Sequence, residues 1–102
     1  MAELLVLYHP PEDPSVFDEH YASVHIPLAK NIPGLRDYRI SDGPVSTPDG
    51  QSPYRLVASL SFDSLDAIKA GLSSKEGGEA VADLGTFATG GATILMYETK
   101  SV

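Results

Sequence analysis

The residues with the clearest chemical potential lie between Phe17 and Leu28, where His25 follows Tyr21 by one helical turn and stands directly before Ile26-Pro27. An imidazole has an unperturbed pKa of about 6.5, so both of its protonation states are well populated near neutrality, as proton transfer requires. A proline inside a helix removes a hydrogen-bond donor and displaces the preceding turn, so His25 is expected beside a local opening into which its ring can point. Tyr21 sits where it can orient that ring or polarise a carbonyl. His25 as general base or acid with Tyr21 beside it is therefore the catalytic expectation. The competing structural role is a His25 that bonds a strand carbonyl at the helix edge.

Substrate contacts are expected from Arg55, Tyr8 and Phe17. Arg55 lies on a predicted strand, where its guanidinium can hold a carboxylate or phenolate, or make an interstrand ion pair. Tyr8, together with Tyr21, Tyr38, Tyr54 and Tyr97, supplies amphipathic rings for an aromatic pocket. Asp83 reads as an outward, solvated carboxylate, His20 as a wet shoulder of the first helix among Asp18 and Glu19, and His9 as a strand end before a proline turn. His20 and His25 are five residues apart, whereas four would place two ligands on one helical face, so no metal site is expected on this helix alone. The sequence contains no phosphate-cradling glycine loop with lysine, no dinucleotide fingerprint and no nucleophile elbow, and no cofactor is expected.

The elements that must position these residues follow from periodicity. Glu3 to His9 alternates as a strand with both faces apolar, closed by Pro10 and Pro11. Asp13 is an N-cap and Pro14 a first helical residue, and Phe17, Tyr21, Val24 and Leu28 form the stripe that the helix buries. Pro27 predicts a kink or an early end around Val24 to Ile26. Leu35 to Ser41 reads as a short polar edge strand, 42–53 as a long loop, and Tyr54 to Phe62 as a strand with Leu56, Ala58, Leu60 and Phe62 facing the core. Ser64 caps a helix through Leu65, Ile68 and Leu72, and Ser73 with Glu76 has capping-box spacing for a restart toward Leu84. Gly77 and Gly78 weaken that stretch. Ala92 to Glu98 is the last strand, again apolar on both faces.

Strand, helix, strand, strand, helix, strand is the ferredoxin-like α+β order: a four-stranded antiparallel sheet with two helices on one face. The chain of 102 residues fits one domain over 1–102. Strands that are apolar on both faces need a second layer behind the sheet, and a homodimer packed sheet to sheet supplies it. A net charge of −7 argues against nucleic acid and anionic membrane surfaces as partners. The absence of cysteine removes disulfide and thiolate chemistry and fits a reducing, cytoplasmic setting.

The run Phe17 to Leu28, followed by Ile32-Pro33-Gly34-Leu35, resembles the signature of the EthD family, and Glu79 to Leu84 with Phe87 adds weaker similarity in the C-terminal half. The resemblance implies a dimeric α/β barrel of two ferredoxin-like subunits and places the family histidine at His25 and its tyrosine at Tyr21, with His20 where a second aromatic often stands. Relatives in that wider superfamily include cofactor-free oxygenases, isomerases, cyclases, dehydratases and haem-dependent enzymes. The functional expectation is a small dimeric enzyme or oxygenase-pathway accessory that performs cofactor-independent acid/base chemistry on a small apolar or aromatic oxygenated metabolite. The alternatives are a noncatalytic small-ligand-binding dimer, motivated by the missing carboxylate partner for His25, and a haem-binding oxidoreductase with His25 as ligand.

Overall fold

A computed structural model describes residues Met1–Val102. Its elements are β1 (Ala2–Tyr8), α1 (Pro14–His20), a π-helical turn (Tyr21–His25), α2 (Ile26–Lys30), β2 (Asp37–Ile40), β3 (Ser46–Thr47), β4 (Gly50–Gln51), β5 (Leu56–Phe62), α3 (Leu65–Ser73), α4 (Lys75–Phe87) and β6 (Ala92–Glu98). The main sheet runs β2-β5-β1-β6 with every pair antiparallel, so the first and third long strands are central, as in the ferredoxin-like fold. No helix is long and apolar enough to cross a membrane.

Register decides which side chains meet the helices. Leu4 pairs with Leu60, Val6 with Ala58 and Tyr8 with Leu56, and the helix-facing residues Leu4, Val6, Tyr8, Ala58, Leu60 and Phe62 are buried. The opposite face, where Leu5 lies between Ser59 and Leu95, has no layer over it within the chain. On that face the Ser59 and Ser61 hydroxyls donate to the Glu3 carboxylate at 2.5 and 2.7 Å. Partial burial raises the Glu3 pKa, but those two hydrogen bonds and Arg39 outweigh it and hold the carboxylate below its ordinary range.

The first helix begins as its sequence dictates, with the Asp13 carboxylate accepting from the Ser15 and Val16 amides at 3.0 and 3.3 Å and Pro14 at the first position. At Pro27 it does not end. The turn Tyr21–His25 widens instead, and the Ile26 amide reaches back five residues to the Tyr21 carbonyl. The wide turn gives the proline ring room that a regular turn denies it. It also inserts one residue into the helical phase, so the buried line continues through His25, Ala29 and Ile32, while Val24 is left 40% exposed. The expected stripe through Val24 and Leu28 is therefore displaced by one position, and that displacement carries His25 into the core.

The restart of the second helix is capped one residue later than expected: Ser74 Oγ, not Ser73, accepts from the Gly77 amide at 3.0 Å. The two following glycines differ. A Cβ on Gly77 would stand 2.0 Å from the Gly71 carbonyl oxygen at the junction of α3 and α4, whereas one on Gly78 would meet nothing. Gly77→Ala is accordingly expected to destabilise the fold by about 1–3 kcal/mol through overpacking, and Gly78→Ala to stabilise it by about 0.5–1 kcal/mol through helix propensity. Urea unfolding of the two variants checks the opposite signs.

Candidate active site

Between the sheet and the helices lies an apolar cavity of about 60 Å³, open at its mouth. Apart from His25, every residue of its wall is apolar or a tyrosine, and the exposed side chains Val81 and Ile94 mark its rim. The strands supply Tyr8 and Tyr38, the π-helical turn supplies Tyr21 and His25, and α4 closes the side opposite the sheet.

His25 is held at both ring nitrogens. Its Nδ1–H donates to Asp83 Oδ2 at 3.0 Å, and the Tyr8 hydroxyl donates to Nε2 at 3.4 Å. With the proton fixed on Nδ1 by the carboxylate, Nε2 is the basic nitrogen, its lone pair held by the Tyr8 hydroxyl until a substrate takes that place, the arrangement of a general base oriented by an acid behind it. The other oxygen of the same carboxylate, Oδ1, accepts from His20 Nε2–H at 2.8 Å. Asp83 thus joins two imidazoles, one buried and one 22% exposed. The reading of Asp83 as an outward carboxylate is corrected: its side chain is only 9% exposed. Its partners are 63 and 58 residues away in sequence. A sequence signal did exist, since Asp83 lies one turn before Phe87 and beside the buried Ala80.

His20 is likewise no free shoulder, because its ring stacks on Phe87 at 5.1 Å between centroids. Phe87 also touches His25 at 4.8 Å, so one apolar ring backs both histidines. Phe17 belongs to this backing, packed on Tyr8 at 5.4 Å and Phe87 at 5.2 Å, and it is not part of the cavity wall. Arg55 is separated from the cavity altogether. It forks onto Asp18 and lines a different, polar cleft with Tyr54 and the segment around Pro44, so the expected anion anchor and His25 do not share a site. Of the five tyrosines, Tyr54 and Tyr97 also lie outside the wall. His9 bonds Thr93 Oγ1 at 3.0 Å at the sheet's end.

Burial pushes the His25 pKa below its ordinary value, with the Asp83 hydrogen bond and charge opposing that shift and the charge on His20 adding to it. The folded protein therefore binds this proton more weakly than the unfolded chain. The associated stability is full above about pH 6.5 and is lost as pH falls from there through the depressed folded value. The groups facing His25 are Asp83 from α4, Tyr8 from β1, and His20 and Tyr21 from its own helix. His20→Phe keeps the stacking on Phe87, removes the group that lowers the His25 pKa by its charge and leaves Asp83 to His25 alone. Its expected result is an upward shift of the His25 titration midpoint, read from the imidazole NMR signals.

Two tyrosine hydroxyls, Tyr21 and Tyr38, lie 2.6 Å apart. Burial raises the pKa of Tyr8, Tyr21 and Tyr38 alike, so all three are neutral donors at physiological pH.

A model of the EthD domain matches residues 9–91. An uncharacterized 11.0 kDa protein from the thcB–thcC intergenic region of Rhodococcus erythropolis is 38% identical over 100% of this chain and 98% of its own length. The crystal structure of an EthD family protein from Bacillus halodurans superposes with a TM-score of 0.89 at 34% identity, over 98% of this chain and 99% of that one. At the level of fold alone, a dimeric ferredoxin-like protein of unknown function from Jannaschia gives 0.70 at 18% identity over 96% and 98%. The cofactor-independent oxygenase SnoaB from Streptomyces nogalater gives 0.66 at 14% identity over 99% and 94%. With the family model spanning most of the chain and two near-full-length relatives above 30% identity, the chain belongs to the EthD family.

Proposed function

We propose that the protein is an enzyme that uses His25 as a general base, oriented by Asp83, to move a proton on a small apolar or aromatic oxygenated molecule held in the cavity, without a cofactor. The observation that carries this is the bond from His25 Nδ1–H to a nearly buried carboxylate, which leaves Nε2 unprotonated on a residue that lines an apolar cavity. The carboxylate supplies the partner whose apparent lack favoured a noncatalytic ligand-binding role. A base held neutral by burial and steered by a carboxylate is suited to abstracting a proton at neutral pH. The fold-level likeness to a cofactor-independent oxygenase is compatible with this chemistry.

The test is turnover of a panel of small phenols and ketones in chelator-treated buffer, followed by NMR. Wild-type turnover that disappears in His25→Ala is the expected result, and undiminished activity in that variant overturns the proposal.

We further propose that the working unit is a homodimer packed through the open sheet face. Leu95 and Tyr97 are 46% and 43% exposed there, beside Leu5. Leu95→Asp is expected to convert the dimer to monomer in sedimentation equilibrium; a variant that remains dimeric contradicts this packing.

A further inference from the structure

We propose that the Tyr21 and Tyr38 hydroxyls form an oxygen-binding site and that the substrate is an uncharged carbonyl compound with a proton on the adjacent carbon. This rests on the reading of His25 as base and specifies what that base acts upon.

The lining residues that carry polar groups are Tyr8, Tyr21, Tyr38 and His25, and neither lysine nor arginine is among them. A carboxylate or phosphate entering such a wall would lose its hydration without gaining a countercharge. Arg55, the cation that sequence reading assigned to substrate, is paired with Asp18 at another cleft. A neutral molecule with a single oxygen fits the wall. At 2.6 Å one tyrosine of the pair donates to the other, so one hydroxyl proton is shared and one is free for a ligand oxygen. The second hydroxyl behind it strengthens that donation. Tyr21 packs on His25 with ring centroids 5.2 Å apart, so oxygen site and base share one region of the wall.

The step this arrangement supports is enolisation. Once the substrate displaces the Tyr8 hydroxyl from His25 Nε2, that nitrogen takes the proton from the carbon next to the carbonyl, the C–H electron pair becomes the second bond of a carbon–carbon double bond, and the carbonyl π pair moves onto oxygen, where the tyrosine O–H holds it. The imidazolium then returns the proton to the same carbon, giving exchange, or to another carbon of the conjugated system, giving isomerisation. No electrons leave the pair of reactants.

Acetophenone labelled with ¹³C at its carbonyl tests the site in D₂O. Wild-type protein is expected to shift the carbonyl resonance downfield and to exchange the methyl protons faster than buffer. Tyr38→Phe, and in parallel Tyr21→Phe, are expected to lose the shift and to slow exchange about a hundredfold, with circular dichroism confirming that at least one variant is folded. His25→Ala is expected to keep the shift and lose the exchange, and benzoate is expected not to bind. A tyrosine-dependent shift without exchange in wild-type protein supports the oxygen site and refutes the base. Failure of acetophenone to bind, binding without a shift, or a shift and exchange unchanged in a folded tyrosine variant overturns the oxygen site.

Discussion

Asp83→Ala is expected to reduce His25-dependent proton transfer by about 10²–10⁴-fold while leaving the cavity wall in place. The magnitude follows from what the carboxylate does: it holds the proton on Nδ1, and without it the neutral imidazole can carry its proton on Nε2, where it is useless as a base. The variant also removes an interaction that raises the His25 pKa, so its titration midpoint should move further down. That is opposite in sign to the shift expected for His20→Phe, although the two residues are hydrogen-bonded to each other. A solvated, structurally idle Asp83 would give neither the rate loss nor the paired shifts. Methyl exchange and imidazole titration on the two variants together separate orientation from a general loss of folding.

The largest effect on stability is expected from Phe87→Ala. This ring, 5% exposed, lies between 4.8 and 5.8 Å from the rings of Tyr8, Phe17, Tyr21, His20 and His25. Truncating a buried phenylalanine to alanine costs about 3–5 kcal/mol through lost transfer energy and the cavity that remains. For a small domain with a total stability of about 5–15 kcal/mol, that is a large share. Urea unfolding should show the midpoint falling with little change in slope. A loss below about 1 kcal/mol would mean that the aromatic cluster repacks around the gap, and that its geometry does not fix the histidines.

The strands were legible because alternation is local. The alternation of Leu4, Val6 and Tyr8 in one strand and of Leu56, Ala58 and Leu60 in its partner can be read from each segment alone, and the Asp13-Pro14 helix start is a matter of adjacent residues. His25 was legible for a different reason, as an imidazole beside a proline inside a helical run. The widened turn was not, because a stripe counted at 3.6 residues per turn has no place for an inserted residue, and Val24 and Leu28 were assigned to the face that His25 and Ala29 occupy. Once the phase slips, the histidine stands in the middle of the buried line.

Asp83 and Arg55 show the other limit. Both are charged residues on amphipathic elements, for which exposure is the ordinary expectation. What inverted the role of Asp83 was a pair of histidines arriving from the first helix, and what removed Arg55 from the cavity was Asp18 on that same helix. Such pairings depend on how α1 lies across the sheet, which no spacing within either segment encodes. Phe17 lies on the expected stripe, but its ring faces Phe87 and Tyr8, not the cavity.

The central claim is that His25 is a neutral base whose unprotonated nitrogen is Nε2, and the most direct measurement is a ¹⁵N NMR pH titration of the imidazole nitrogens in the ligand-free protein. The structure predicts a neutral ring at pH 7 with Nδ1 protonated and Nε2 bare, and a midpoint below the ordinary histidine value. A ring that is charged at pH 7, or one that carries its proton on Nε2, would contradict it.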